Sequence, residues 1–305
     1  MKYLVTGGAG FIGSNIALAL EEERKARVVI VDDFSSGHFK NLIGFKGDII
    51  ADDVVNASWH EKAGKVDAIF HEAAITDTTV MDQQEMTRVN VDGFRSVLNY
   101  ALKYDIKTIV YASSAAVYGN GKCPMHEDQD LTPENVYGFS KAIMDNVAEE
   151  FAAGHKDVSL VGLRYFNVYG PREFHKGKFA SMIYQLYLQM KENKCPKIFK
   201  FGEQMRDFVY VKDIVRANLN ALDAGKFCVC NAASGTPENF NKVVECLNLA
   251  MGKSLAPEYF DNPYDFYQNK TQADLRQAKA HINYRPEWDI ECGIRDYVKT
   301  LEGEK

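Results

Sequence analysis

Tyr137 and Lys141 stand four residues apart in the run Tyr137-Gly138-Phe139-Ser140-Lys141, a spacing that places both side chains on one face of a helix. A phenol with a pKa of about 10 is a poor base at neutral pH, but an adjacent ammonium and the positive charge of a cofactor lower it. Ser113 and Ser114 follow the apolar run Thr108–Ala112. If that run is a strand of a parallel sheet, the two hydroxyls sit at its carboxyl edge, where such sheets bind ligands. A hydroxyl there can hydrogen-bond a substrate alcohol as it becomes a carbonyl. Tyrosine and lysine at this spacing also occur on ordinary helix surfaces, so the pair gains weight only from its surroundings.

The surroundings begin at the N-terminus. Gly7, Gly10 and Gly13 directly follow the apolar run Lys2–Thr6 and open a helical pattern. The first glycine permits a tight turn, the second lets backbone N–H groups approach a pyrophosphate, and the third allows close helix–strand packing. Asp32 ends the next apolar run, where adenosine ribose hydroxyls should sit. Glycine turn, flanking strand and helix, and terminal acid together meet the context test for dinucleotide binding. The acid favours the free 2′-hydroxyl of NAD, whereas the 2′-phosphate of NADP needs a cation. Asp33, His38 and Lys40 follow within loop reach, so both dinucleotides stay open on the residues alone.

Short β-branched runs alternate with helical patterns through the first half of the chain. Strands are expected at Lys2–Thr6, Arg27–Val31, Ala68–His71, Thr108–Ala112 and Ser159–Tyr165, and helices near Phe11–Glu22, Glu85–Lys103 and Tyr137–Ala153. The strands are apolar at nearly every position, as strands buried on both faces are. The fold class is therefore α/β, a doubly wound parallel (Rossmann) sheet with a smaller C-terminal α/β substrate lobe. The dinucleotide domain is expected over residues 1–168, completed by segments near 207–232, and residues 169–305 form mainly the substrate lobe. There, helices are expected at Phe179–Asn193 and Ile290–Leu301 and strands at Lys197–Phe201 and Asp207–Val211. Asp213 reads as the N-cap of a helix Ile214–Ala224.

Composition narrows the function. Apolar residues make up 46% of the 305 residues, enough for large cores. Lys plus Arg number 36 against 42 for Asp plus Glu, a net charge of -6 that argues against nucleic acid as partner. No window is apolar for the roughly 20 residues a membrane helix needs, and the first residues do not resemble a signal peptide. No membrane partner and a cytoplasmic location are expected. The six cysteines read as buried, reduced thiols without metal-ligand spacing; Cys228 and Cys230 alternate with apolar neighbours, with one sulfur expected on each side of the strand. No metal is expected.

The glycine pattern, Tyr111-Ala-Ser-Ser-Ala-Ala-Val-Tyr-Gly119 and Tyr137-x-x-x-Lys141 resemble the extended short-chain dehydrogenase/reductase superfamily of nucleotide-sugar enzymes. Arg164-Tyr-Phe-Asn-Val-Tyr-Gly-Pro-Arg172 and Arg206-Asp-Phe-Val-Tyr-Val211 extend the likeness into the second lobe. The resemblance implies Tyr137 as acid/base, Lys141 against the nicotinamide ribose, and Ser114 orienting the substrate. His71-Glu72-Ala-Ala-Ile-Thr-Asp-Thr-Thr79, Arg172-Glu-Phe-His-Lys-Gly177 and Lys270-Thr-Gln-Ala-Asp-Leu275 are closer to the ADP-L-glycero-D-manno-heptose 6-epimerase family. That likeness implies Lys176 as a second acid/base that also meets the cofactor, and NADP as cofactor with NAD not excluded. It further implies a cofactor lining of Gly7, Gly10, Phe11, Ile12, Gly13, Asp32, Asp33, His38, Glu72, Ala73, Ala74, Ile75, Thr76, Asn90, Lys141 and Val168. Ser114, Asn167, Lys178, Gln185, Phe199, Lys200, Phe201, Gly202, Arg206 and Tyr267 match substrate contacts. Lys178 replaces a small hydroxyl residue, Gln185 replaces a His, and His38 stands near the place of a lysine that meets the NADP phosphate.

The implied reaction is inversion at carbon 6 of ADP-D-glycero-D-manno-heptose by transient oxidation, in lipopolysaccharide core heptose synthesis, by a homo-oligomer. Hexose 4-epimerisation and 4,6-dehydration of a nucleotide sugar are the rival chemistries. Dehydration wants an acid/base pair beside the serine, and Ser114-Ala115-Ala116 offers none. A redox-sensing dinucleotide-binding module is the rival without chemistry, and such a module typically loses the tyrosine or the lysine.

Overall fold

Along the first strand Tyr3 and Val5 pack into one apolar cluster and Leu4 into another. The same division splits Val28 and Ile30 from Val29 and Val31, and Val110 from Ile109 and Tyr111. Side chains alternate across a strand, so continuous apolar runs must be covered on both faces. The computed structural model, which describes residues 1–261 and 269–303, shows how.

The strands are β1 (Lys2–Thr6), β2 (Arg27–Asp32), β3 (Asp48–Ala51), β4 (Ala68–His71), β5 (Thr108–Ser114), β6 (Ser159–Tyr165), β7 (Asn167–Tyr169), β8 (Lys197–Phe199), β9 (Met205–Arg206), β10 (Phe208–Tyr210), β11 (Cys228–Ala232), β12 (Glu238–Asn239) and β13 (Glu258–Phe260). The helices are α1 (Phe11–Arg24), α2 (Ser58–Ala63), α3 (Gln83–Thr87), α4 (Gly93–Lys103), α5 (Val136–Gly154), α6 (Met182–Lys191), α7 (Val211–Ala221), α8 (Phe240–Met251), α9 (Arg276–Ile282) and α10 (Ile290–Glu302). Seven strands form one sheet in the order β11-β6-β5-β4-β1-β2-β3, with every neighbouring pair parallel. Helices α1, α7 and α9 cover one face through Ile16, Leu20, Ile214 and Ile282. Helices α2, α4 and α5 cover the other through Trp59, Phe94, Val97 and Met144. The expected doubly wound parallel sheet is what forms, with β3 added to the five strands read from the sequence and with β11, the run of Cys228 and Cys230, as its seventh strand. A third cluster joins α6, α8 and α10 around Ile183, Leu186, Val243, Leu247, Ile294 and Tyr297.

Four local expectations are corrected. Asp213 is not an N-cap: α7 already starts at Val211, and the Asp213 carboxylate accepts the N–H groups of Glu287 and Trp288, each at 3.0 Å. Helix α6 starts at Met182 rather than Phe179, because Ser181 caps it and Gly177 breaks the preceding turn at φ +53°. Cys228 and Cys230 lie two apart and so share a face of β11, both buried in one cluster. Nor are all the cysteines buried: Cys195 and Cys292 are exposed, and all six are free.

One buried ion pair ties α5 to the sheet. Arg164 on β6 donates to Asp145 on α5 at 3.0 Å, and both side chains are nearly inaccessible. The Tyr111 phenol donates to the other Asp145 oxygen at 2.9 Å, and Arg164 also donates to the Tyr118 hydroxyl. A buried pair contributes little net stability, but removing one partner strands the other charge. Arg164→Met should therefore lower unfolding free energy by about 3–5 kcal/mol. The double change Arg164→Met with Asp145→Leu should recover a large part of that loss; urea titrations on the three proteins check both.

Candidate active site

In a parallel sheet every carboxyl end lies on one edge, and Thr6, Asp32, His71, Ser114 and Tyr165 are the last residues of β1, β2, β4, β5 and β6. The strand order reverses between β1 and β4, which opens a crevice at that edge.

The glycine turn fills the start of the crevice. Gly7 takes φ +66°, and a Cβ on it would stand 2.6 Å from the Ala73 nitrogen; one on Gly13 would stand 2.3 Å from the Gly7 carbonyl. Neither position admits a side chain. Gly10 is the N-cap of α1 and brings no capping side chain, whereas Asn135, Ser181, Asn239 and Asp289 cap α5, α6, α8 and α10. The first turn of α1 thus keeps its N–H groups for an anion. Asp32 accepts from the backbone of Ala9 and of Phe34, both at 2.8 Å, and so clamps the glycine turn to β2. Burial raises its carboxyl above the ordinary value, and those two N–H groups oppose the rise. Asp33 is exposed and accepts from Ser35. His38 accepts from the Lys40 nitrogen and stacks on Phe39 at 4.8 Å.

The loop after β4 is held by Asn90. Its Oδ1 accepts from Ile75 N at 2.8 Å, while Nδ2 donates to Ile75 O at 3.1 Å and to Ser140 Oγ at 2.9 Å. Asn90 lies in a π-turn, Arg88–Asp92, between α3 and α4, where the sequence reads one unbroken helix. Its carboxamide is spent on protein partners, so it shapes the Glu72–Thr76 lining from behind. Ala73 lies on the glycine turn, its N–H directed at the Thr6 hydroxyl.

Tyr137 opens α5. The Asn135 side chain caps that helix by accepting from Gly138 N at 2.7 Å, and a Cβ on Gly138 would meet the Ala116 carbonyl at 2.6 Å. This close approach sets Tyr137 against Ser114, whose hydroxyl also accepts from Ala116 N. Ser113, one residue earlier, turns to the other face and meets no protein partner. Lys141 is 1% exposed; its ammonium donates to the Ala112 carbonyl at 2.7 Å and lies 5.9 Å from the Tyr137 ring centroid. Burial lowers Lys141 to about 8, against the opposing pull of Glu72 and Asp145. Within the protein alone, burial first and then the Glu72 charge raise Tyr137, while the Ser114 hydrogen bond lowers it.

Lys176 lies on the turn Phe174–Phe179 with its amine 5.8 Å from the centroid of Phe11, the first residue of α1. Burial lowers its pKa, and Glu173 opposes this. Arg172 and Lys178 flank this turn: Arg172 donates to Asn41 O and Asn15 Oδ1, and the Lys178 amine sits over the Phe179 ring.

The chain matches the model of the NAD dependent epimerase/dehydratase family over residues 3–233. The structure of ADP-L-glycero-D-manno-heptose-6-epimerase from Helicobacter pylori is 43% identical, covers 99% of this chain and 96% of its own, and superposes with a TM-score of 0.90. The chain belongs to the NAD dependent epimerase/dehydratase family. UDP-N-acetylglucosamine 4-epimerase from Methanobrevibacter ruminantium follows at 29% identity, 100% and 99% coverage and TM-score 0.92. UDP-glucuronic acid 4-epimerase from Bacillus cereus, in complex with UDP-glucuronic acid and NAD, is 27% identical, with 99% and 100% coverage and TM-score 0.85. The family resemblance read from the sequence is therefore right, at the level of the extended short-chain nucleotide-sugar epimerases. The uncapped α1 turn, the side-chain-free glycine positions and the clamped Asp32 fit the pyrophosphate and adenosine ribose of a nicotinamide dinucleotide, as this family requires.

The remaining predicted residues of this epimerase-family chain are placed as follows. Ile12 and Val168 pack between the sheet and the second lobe. Asn167 begins β7, with its Oδ1 3.4 Å from Thr271 Oγ1. Arg206 is buried in β9 and donates to Met205 O. Phe199, Lys200, Phe201 and Gly202 form a turn at the start of α8, where Asn241 donates to Phe201 O and a Cβ on Gly202 would strike the Asn241 side chain. Gln185 donates to the carbonyls of Lys178 and Ala180 and so anchors the Lys176 turn rather than standing free. Tyr267 lies outside the described residues. The sequence reading missed Thr6, Tyr165 and Asn218, which bind the side chains of His71 and Glu72 directly or in relay; Tyr165 stood inside a quoted motif, and its position at a strand end was the available signal. Among the described residues no helix is long and apolar enough to cross a membrane, and no cluster of metal-ligating side chains forms.

His71 supplies a pH test of this packing. It is fully buried, hydrogen-bonds Thr6 Oγ1 through Nδ1 at 2.8 Å and stacks on Phe94; burial, then the Lys141 charge, lowers its pKa to about 3. Between that value and the unfolded value of about 6.5 the unfolded chain binds more protons, so stability falls as pH falls. From pH 7 to pH 5 this one group should cost about 2 kcal/mol. His71→Gln should lose correspondingly less over the same interval in chemical denaturation.

Proposed function

We propose that the chain inverts carbon 6 of ADP-D-glycero-D-manno-heptose, giving the L-glycero epimer used for lipopolysaccharide core heptose, as a cytoplasmic homo-oligomer. The observation that carries this is Lys176: a second, half-buried amine of lowered pKa beside the cofactor turn, on a different element from Tyr137. The 43% identity to the Helicobacter pylori enzyme supports the same choice over the 4-epimerases, which are more distant.

A nicotinamide dinucleotide, when bound, accepts a hydride from carbon 6 and returns it. Gly7, Gly10 and Gly13 with the α1 N-terminus would hold its pyrophosphate, Asp32 its adenosine ribose, and Lys141 its nicotinamide ribose. The chain's own residues move the hydroxyl proton. Tyr137 removes it in one orientation of the sugar while the Ser114 hydroxyl donates to the substrate oxygen. After the planar ketone turns over, Lys176 gives a proton to the oxygen on the other side, so that oxidation and reduction cancel and only the configuration changes. The proposed cofactor is NADP, by family resemblance; the exposed Asp33 beside Asp32 favours NAD as the second reading. Extraction and chromatography of the released nucleotide decides between them.

The reaction itself is tested by incubating the purified protein with ADP-D-glycero-D-manno-heptose and assigning the product epimer by NMR. Turnover of a UDP-hexose but not of the ADP-heptose would overturn the proposal. Tyr137→Phe should lower kcat by about 10²- to 10⁴-fold, the worth of a positioned proton shuttle, with dinucleotide content unchanged.

Lys176→Met separates a catalytic role from a phosphate contact. Loss of a proton-transfer group should reduce kcat severely in both directions, while loss of a binding contact raises KM and leaves kcat nearly unchanged. A kcat within about threefold of wild type would reject Lys176 as acid/base.

A further inference from the structure

The stretch that carries Lys176 is fixed at both ends. Before it, His175 Nδ1 meets Asn41 Nδ2 at 3.0 Å, and Arg172 donates to Asn41 O and Asn15 Oδ1. Behind it, the buried Glu173 carboxylate closes a neck: it accepts from Gly170 N at 3.1 Å, from Ser181 Oγ at 2.8 Å and from Ser181 N. Between these points run Lys176, Gly177, Lys178, Phe179 and Ala180, and the middle three are exposed.

That stretch has little rigidity of its own. Gly177 at φ +53° interrupts the helical geometry. The backbone contributes two bonds, Lys176 N to Glu173 O at 3.0 Å and Ala180 N to Gly177 O at 3.1 Å. An exposed segment with few bonds opens locally at low cost. A proton-transfer group cannot tolerate that, because a misplacement of about 1 Å can cost about 10²-fold in rate.

Gln185 supplies the restraint. From the first turn of α6 its Nε2 donates to Lys178 O at 3.0 Å and to Ala180 O at 2.8 Å. A carboxamide nitrogen has two hydrogens, so both are committed to this turn. Among the described residues, these are the side-chain hydrogen bonds that reach 176–180 from outside it. Ile183 and Leu186, on either side of Gln185, are buried in the third core, so the helix that bears the carboxamide is itself held. We propose that Gln185 is a positioning residue: its two-pronged donation pins the outer half of the turn and so holds the Lys176 amine in place beside Phe11. The catalytic use of that position rests on the proposed role of Lys176.

The test begins with Gln185→Met, which keeps the length of the side chain and removes both donors, while the Glu173 neck still ties the ends of the turn. Amide hydrogen exchange of the protein as purified reads the turn without substrate. Exchange at Lys176 and Ala180 should quicken by about tenfold, the worth of two ordinary hydrogen bonds, with α8 and α10 unchanged. In turnover, kcat should fall by about tenfold or more in both directions, with KM within about threefold of wild type. Adding Gln185→Met to Lys176→Met should lower kcat no further, because the effect passes through that amine. Gln185→His, which keeps one ring N–H donor, should return part of both losses.

Unchanged exchange at Lys176 and Ala180 would overturn the proposal. A raised KM with unchanged kcat would do the same, by making Gln185 a direct substrate contact. Quickened exchange with wild-type kcat, where Lys176→Met is impaired, would also sink it, since the amine would hold its place without the carboxamide. If Lys176→Met itself keeps the wild-type kcat, the acid/base reading of Lys176 falls instead, and quickened exchange still upholds the turn as pinned by Gln185.

Discussion

Strands that all run one way, buried on both faces, leave no choice about where chemistry can occur. Their side chains alternate into two cores, so Val5, Ile30 and Val110 are unavailable to a ligand, as are Leu4, Val29 and Ile109. Polar side chains enter where the strands stop: Thr6, Asp32, His71, Ser114 and Tyr165 end β1, β2, β4, β5 and β6, and each makes a side-chain hydrogen bond there. The reversal between β1 and β4 then fixes which part of the edge is open to a ligand.

Most polar groups at this edge are buried and satisfied by the scaffold, Ser113 Oγ and His71 Nε2 excepted. Carboxylates do much of this by accepting backbone N–H groups. Asp32 holds the glycine turn, Glu173 accepts from Gly170 N and Ser181 Oγ at the start of α6, and Asp207 accepts from Ser234 N and Ala273 N. Burial raises all three, and the N–H groups oppose it. Each of these acids has oxygens bonded to backbone N–H groups of the scaffold. Glu72 differs in that its Oε1 accepts from a side-chain hydroxyl, that of Tyr165.

What the sequence made legible follows from the same constraint. Long apolar runs and the Gly7–Gly13 turn are local signals, and the main strands and the α1 and α5 helices stand within a few residues of the expected positions. Of the two- and three-residue strands, β8 and β10 lie inside the expected runs Lys197–Phe201 and Asp207–Val211, whereas β7, β9, β12 and β13 have no such signal, because their existence depends on pairing partners far along the chain, as between β9 and β12 or β8 and β13. Asp213 illustrates the limit. An acid near a helix start reads as a cap, but two N–H groups from the segment before α10 claimed it. Asn90 and Gln185, expected as cofactor and substrate contacts, show in the fold a bonding the sequence does not display, since each donates to backbone carbonyls, of Ile75 and of Lys178 and Ala180 respectively. The Cys228 and Cys230 sulfurs were a simple error of parity: residues two apart on a strand face the same way.

The placement of Lys176 joins these arguments. Its turn has Gly177 and Lys178 exposed, yet the approach to it is pinned on the inner side by groups from the first βαβ unit. Arg172, in the left-handed region at φ +76°, donates to Asn41 O and Asn15 Oδ1; Asn15 donates to Pro171 O; and Asn41 Nδ2 meets His175 Nδ1 at 3.0 Å. Asn41 also donates to Ala9 O within the glycine turn. The residues before Lys176 are therefore bonded to the same backbone that forms the anion site at α1, and Phe11 from that helix provides the surface on which the amine rests. A second acid/base carried by the substrate lobe alone would shift whenever that lobe moved. Bonded in this way, the turn that carries Lys176 is tied to the glycine turn, and the proposed acid/base role of its amine draws on that tie.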